Sequence, residues 1–308
     1  MMDSMTLRSY RHDDAAAVSE LFRKIYGGHY AQPHVYLPCM IDRNHAQGRW
    51  HSLVAVVGDQ LLGHASLIRA KGSSLAELAL SVVDPESQGQ NIASRLGERL
   101  LIHAEALGCK GVMIKSVTCH PYTQRMAASL GFHCTGWLPD YAPSPFVPSA
   151  RESLVIGYTP VAGERHPIPL LKWPKGCRSF MERMCDVLGT KDTPAPWVGE
   201  PVHFEQRWNC FEGVIRKLDG DLLKQLRELP ADWLISIRLR LAEDFDNAWQ
   251  ELTTSGFVFT GIAPDETGAG WLALFHRGAR PPALRLNCPH MQRMHDDLQR
   301  QVTRLNGE

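Results

Sequence analysis

Between Leu75 and Gly108 an apolar strand runs into a short polar loop and then directly into a long helix, and this junction limits the fold more than any other stretch of the chain. Asp84-Pro85 stops the strand, Glu86-Ser87-Gln88-Gly89-Gln90 forms the loop, and Ile92, Leu96, Leu100, Ala104 and Leu107 recur at helical spacing up to Gly108. The start of a helix leaves backbone N–H groups unpaired and carries a partial positive charge. A loop of small and polar residues lets a phosphate reach those donors, each charge–dipole contact contributing about 0.3–1 kcal/mol. In isolation the same pattern also fits an ordinary capped helix, so the surrounding elements decide between the two.

Those elements alternate. Ahead of the junction, the spacing predicts a strand over Thr6–Tyr10 and a helix opened by Asp13-Asp14. An irregular loop from His29 to Cys39, a short helix near Met40–Ala46 and a hairpin of Ser52–Val57 with Leu61–Arg69 around Gly58-Asp59-Gln60 follow. After it come a strand over Val112–Val117, a helix over Pro121–Leu130, and strands over Phe132–Leu138 and Ser153–Tyr158. Seven prolines between Thr159 and Pro201 read as a linker, residues 161–201, with one short helix near Phe180–Leu188. Strands and helices then resume. They include a strand near Val202–Phe211, the cleanly alternating Leu234–Leu241 and a helix from about His290.

Composition excludes several classes. Hydrophobic residues at 44% with charged residues at 21% describe a globular chain rather than a disordered one. Lys plus Arg and Asp plus Glu number 33 each, so no global field gathers nucleic acid or an anionic membrane. No apolar run approaches the roughly 20 residues that span a bilayer, and Met1–Arg11 lacks the apolar core of a signal peptide. The expected location is cytoplasmic, with the eight cysteines reduced. Cys119–His120 and His133–Cys134 are adjacent pairs without a second pair at zinc spacing, so no metal is expected.

One segment repeats. Gly131-Phe132-His133-Cys134-Thr135-Gly136-Trp137-Leu138-Pro139-Asp140 matches Gly256-Phe257-Val258-Phe259-Thr260-Gly261-Ile262-Ala263-Pro264-Asp265 at six of ten positions, 125 residues apart. Turn residues can match by chance. The strand and helix before each copy and the strand after it favour a duplicated half-domain.

The element order and the loop Gln88-Gly89-Gln90-Asn91-Ile92-Ala93 resemble the GNAT N-acetyltransferases, whose phosphate loop reads Q/R-x-x-G-x-G/A; Leu130-Gly131-Phe132 is similar to the family's final-helix signature. His120-Pro121-Tyr122-Thr123-Gln124 looks like the HPYSQ-type segment of a bacterial group within that family. The resemblance covers about half the chain and implies acetyl-CoA as cosubstrate. Its pyrophosphate would lie on the amides of Gln88, Gly89, Gln90, Asn91, Ile92 and Ala93. Backbone groups of Val82 and Val83 would pair with pantetheine, and His120 stands where the family has a pantetheine-contacting asparagine. Two positions depart from the pattern. Asn91 replaces the first motif glycine, although asparagine tolerates a left-handed backbone. Ala127 replaces the tyrosine that protonates the departing thiolate, which leaves nearby Tyr122 as the candidate acid or, equally, a packing residue.

Glu77, eleven residues before Gln88, stands where the resemblance implies a glutamate beside the acetyl group, and it is the candidate general base, since an ammonium acceptor must lose a proton before it attacks a thioester. Strict alternation would place it on one face with Leu75, Ala79, Ser81 and Val83. A solvated glutamate or one half of an ion pair is the plainer alternative. Cys119 at the next strand's end reads as an inert thiol before it reads as an acetyl carrier.

The expected architecture is α/β: a GNAT fold, with a mixed central sheet flanked by helices, over residues 5–160, the linker, and a smaller α/β lobe over 202–308 resembling a degenerate GNAT half. The lobe's counterpart of the phosphate loop, Gly213–Leu218, carries no such motif, so one cofactor per chain is expected. Its sheet edge would be covered by the first domain, with a homodimer as the competing cover. The expected function is direct acetyl transfer to a small amine or amino-acid-like acceptor. A catalytically silent acyl-CoA sensor is the alternative, motivated by Asn91 and Ala127.

Overall fold

The computed structural model describes residues 5–161, 163–208, 210–265 and 270–306. The first half runs β1 (Thr6–Ser9), α1 (Ala15–Tyr26), α2 (Pro38–Ala46), β2 (Trp50–Val57), β3 (Gln60–Ile68), β4 (Leu75–Val83), α3 (Ile92–Ala106), β5 (Gly111–Val117), α4 (Tyr122–Ser129), β6 (His133–Pro143) and β7 (Arg151–Pro160). The second half runs β8 (Ile168–Pro169), α5 (Arg178–Leu188), β9 (Thr190–Lys191), β10 (Val202–Arg207), β11 (Cys210–Ile215), α6 (Gly220–Glu228), β12 (Ile235–Arg240), α7 (Phe245–Thr254), β13 (Val258–Pro264), β14 (Trp271–Arg277) and α8 (Pro289–Asn306).

Twelve of these strands form one mixed sheet in the order β1-β2-β3-β4-β5-β7-β6-β13-β14-β12-β11-β10. Each half contains one parallel neighbour pair, β4 with β5 and β11 with β12, bridged by a crossover through α3 or α6. The halves meet where β6 and β13 pair antiparallel at Gly136 and Gly261, the same position in the two copies of the repeat. Both strands carry a bulge at the matching place, between Cys134 and Gly136 on one side and Phe259 and Gly261 on the other. The registers continue the equivalence outward. Gly136 faces Ile156, which faces Lys115; Gly261 faces Leu274, which faces Arg238. The five second-half strands in this sheet thus repeat the order of the five nearest the seam in the first half, related by an approximate two-fold axis at the glycine pair.

Close approach explains the glycines. A Cβ on Gly136 would lie 2.7 Å from Leu274 Cδ1 and 2.9 Å from the Ile262 carbonyl oxygen. Gly261 has φ +111°, and a Cβ there would fall on the Thr135 carbonyl oxygen and 2.6 Å from Gly136 Cα.

Separate cores hold the helices. Ile92, Leu96 and Leu100 of α3 are essentially fully buried against Leu78, Val112 and Ile114, each contributing about 1.5–3 kcal/mol. On the opposite face, α1 and α2 pack Val18, Phe22 and Ile41 against Val54, Leu80 and Val82. The entry to α1 is set by Asp14, which accepts the Arg11 N–H at 2.7 Å and pairs with Arg8 at 2.7 Å.

Two details differ from the sequence reading. The proline-rich segment packs rather than merely links. Trp173, Phe180, Met181, Met184 and Leu188 are buried in the second half's core, where Phe180 meets Phe259 at 6.0 Å between ring centroids. The prolines break the regular elements, but the apolar face of α5 between them is intact. The single strand read near 202–211 is two antiparallel strands, β10 and β11, with Trp208 at φ +48° between them.

Candidate active site

The strand β4 pairs with β5 only from Leu75 to Leu78, although both strands continue beyond that point. They diverge from there, and the loop and start of α3 stand at the mouth of the wedge. Divergence coincides with a bulge: Ser66 faces Ala79 and His64 faces Val82, which leaves one extra residue on β4. Leu80 takes φ +54°, and its carbonyl accepts from His64 Nδ1 at 2.9 Å.

The bulge corrects the alternation expected for β4. Leu80 and Val82 join the core under α1, while Val83 packs on the α3 side with Ala76 and Leu78. An inserted residue reverses the facing of everything after it. Val82 and Val83 lie past the last β4–β5 pair, so their backbone on that side belongs to no strand ladder with β5.

The loop is pinned at its base and open at its tip. Asp84 accepts the Glu86 N–H at 3.0 Å and pairs with Lys24 at 2.8 Å. The Lys24 hydrogen bonds hold the Asp84 carboxyl below the usual range. Gln88, Gly89, Gln90 and Asn91 are exposed, Ala93 is half-buried and Ile92 anchors the helix in the core. Asn91 caps α3 in the left-handed conformation, φ +55° and ψ +24°, and no side chain caps the helix. The substitution that departs from the family motif is therefore a residue able to adopt the backbone the glycine would supply. The first-turn amides of α3 thus receive no acceptor from the cap side chain.

His120 lies just beyond β5, and its Nδ1 is buried without a hydrogen-bond partner. Tyr122, at the start of α4, is 72% exposed, with its ring 5.4 Å from that of His120, so it is not a packing residue. Ala127 is buried in the α3 core and offers no proton.

Glu77 sits on the face opposite α3, where its Oε2 accepts from Lys115 Nζ at 2.9 Å. Burial alone would lower the Lys115 ammonium, but the Glu77 carboxylate and Tyr141 hold it above its ordinary value. Lys115 escaped the sequence reading. Its one signal was a lysine in the strand Val112–Val117, on the face that Val112 and Ile114 do not share. The loop from His29 to Cys39 brings in Tyr30, whose hydroxyl is pushed up first by burial and then by nearby Tyr26 and Glu77. Tyr26 packs between Tyr30 at 4.8 Å and Phe146 at 5.5 Å in tilted ring contacts, so this loop, the end of α1 and the segment after β6 share an aromatic cluster. Loss of solvent and the Glu152 carboxylate push the Cys119 thiol up to about 11, which suits an inert thiol.

Residues 15–132 match the model of the acetyltransferase (GNAT) family. That segment is a GNAT acetyltransferase domain. Solved structures that the GNAT half resembles include the ribosomal-protein-S18-alanine N-acetyltransferase of Escherichia coli, at 20% identity over 51% of this chain and 94% of that one, TM-score 0.43. Another is the phosphinothricin acetyltransferase of Sinorhizobium meliloti in complex with acetyl-CoA, at 19% over 54% and 93%, TM-score 0.45. A third is a mutant spermidine/spermine N-acetyltransferase of Vibrio cholerae, at 18% over 52% and 96%, TM-score 0.43. No curated protein sequence matches the chain. Among the described residues no helix is long and apolar enough to cross a membrane, and no group of three His, Cys, Asp or Glu is placed to hold a metal.

Proposed function

We propose that the protein transfers the acetyl group of acetyl-CoA directly to a small amine. The observation that carries this reading is the uncapped start of α3, with left-handed Asn91, at the mouth of the β4–β5 wedge of a GNAT domain. The pyrophosphate would lie on the amides of Gln88–Ala93, and pantetheine would run between the diverging strands past Val82, Val83 and His120. Glu77 would take a proton from the ammonium, directly or through water. The freed amine then attacks the thioester carbon, the C–S bond breaks, CoA leaves as the thiol with a proton from Tyr122, and the proton shed by the product nitrogen returns to the tyrosinate through water.

The second half supports a single cofactor. Between β11 and α6, where the phosphate loop would stand, Asp219 caps the helix by accepting the Leu222 N–H at 2.8 Å. A carboxylate there occupies the donors and repels a phosphate. This lobe is best read as a degenerate GNAT half. Calorimetry of the full chain with acetyl-CoA tests the proposal: one site per chain is expected, and no binding up to millimolar ligand would overturn it. Ala127 favours a second reading, a silent acyl-CoA sensor. That reading prevails if acetyl-CoA binds but no amine in a broad screen releases CoA.

A further inference from the structure

The approximate two-fold axis carries more than the strand order. Glu77 faces Met113 on β5, and Lys115 lies two residues further along; Glu212 faces Ser236 on β12, and Arg238 lies two residues further along. Lys115 and Arg238 occupy equivalent places in one row of the sheet, Lys115–Ile156–Gly136–Gly261–Leu274–Arg238. Residues paired in a ladder project to the same face. The ion pair Glu77–Lys115, at 2.9 Å, thus has a counterpart, Glu212–Arg238, at 3.4 Å, on the same side of the sheet. Tyr141 lies near the first pair. Its hydroxyl accepts from Arg207 Nη1 at 3.3 Å, and its field supports the Lys115 charge.

The second pair is incomplete as it stands. The Glu212 side chain is 5% exposed, yet Oε1 has no partner; Arg238 Nε is also buried and unpartnered. Buried polar atoms of this kind cost stability unless something pairs with them. In addition, the field of Arg238 acts against the Lys115 charge, although Glu77 and Tyr141 outweigh it. An anionic group between these cations relieves the repulsion and supplies an acceptor for Arg238 Nε. A donor on the same ligand, or a water it holds, satisfies Glu212 Oε1.

Resting on the acetyltransferase reading, we propose that the acceptor is a small carboxylate-bearing amine bound at the seam of the two halves, its carboxylate between Lys115 and Arg238 and its amine toward Glu77. The degenerate half, having no cofactor of its own, then selects the substrate.

The test titrates the full chain with individual amino acids and their decarboxylated amines by calorimetry, with and without acetyl-CoA. At least one amino acid should bind about tenfold or more tighter than its amine, as expected for a charge-assisted contact. Arg238→Gln should erase that preference and leave acetyl-CoA affinity unchanged. Because Arg238→Gln strands a buried carboxylate and can unfold the chain, Arg207→Gln, at a half-exposed position, serves as the second variant and should reduce the preference in part. Equal binding of acids and amines, no amino-acid binding, or a preference that survives both substitutions overturns the proposal. Failure of acetyl-CoA to bind overturns the acetyltransferase reading instead, and the titrations without acetyl-CoA still decide whether the seam binds carboxylates.

Discussion

Replacing Gly261 by alanine should damage the join between the halves far more than an ordinary glycine substitution does. Two effects add. Alanine at φ +111° costs about 1–3 kcal/mol in backbone strain. Its Cβ meets the Thr135 carbonyl and Gly136 Cα, backbone atoms of the partner strand that cannot rotate away, and overpacking of this kind costs a further 1–3 kcal/mol or so. Gly131→Ala is the matched control. Gly131 also has positive φ, +83°, but nothing lies within 4 Å of its would-be Cβ, so only strain applies. Thermal unfolding followed by circular dichroism gives the comparison. At about 2–4 °C per kcal/mol, the control should melt a few degrees low and Gly261→Ala roughly twice as far or more below wild type. Equal shifts would refute the view that close approach of β6 and β13 requires glycine.

Other outcomes follow from the site and the core. Glu77→Gln should lower kcat about 10²–10⁴-fold at neutral pH once an acceptor is known, and an unchanged kcat moves the base elsewhere. Asn91→Gly should retain acetyl-CoA binding because it keeps the left-handed backbone, while Asn91→Pro, barred from φ +55° and lacking the N–H, should abolish it by calorimetry. His64 and His276 are fully buried, and burial lowers them to about 4 and about 3 respectively. Folded values below the unfolded value mean that both favour folding above about pH 6.5 and that this contribution is lost as pH falls toward 4 and 3. Stability should therefore drop by up to about 1.4 kcal/mol per pH unit for each histidine, and His276→Asn should flatten the denaturant-melt profile across that window.

The GNAT half was legible because its signals are local. The junction at Asp84–Ile92 is contiguous, and the apolar spacing of α3 needs no knowledge of its partners. The repeat around Gly136 and Gly261 was legible too, but not that the two copies would touch, since pairing depends on residues 125 apart. What the sequence hid was mostly register. Nothing in Leu80 announces a positive φ, so the change of face at the bulge could not be read. The Lys115 partner of Glu77 depends on how β4 aligns with β5, which no spacing along one strand reveals. In the segment 161–201, the prolines confine the regular elements to short pieces around α5. The burial of α5 came from what lay across from it, which the prolines do not record.

The glycine join also sets a schedule for synthesis. Gly136 leaves the ribosome 125 residues ahead of Gly261, its partner. At about 5–20 residues per second, the first half spends roughly 6–25 s with β6 as an open strand edge beside emerging chain. Open edges template pairing with the wrong strand. Early truncations within this interval should therefore be the aggregation-prone species of this protein, and the bulge at Thr135, which twists the strand out of regular pairing, protects the nascent edge until its own copy arrives.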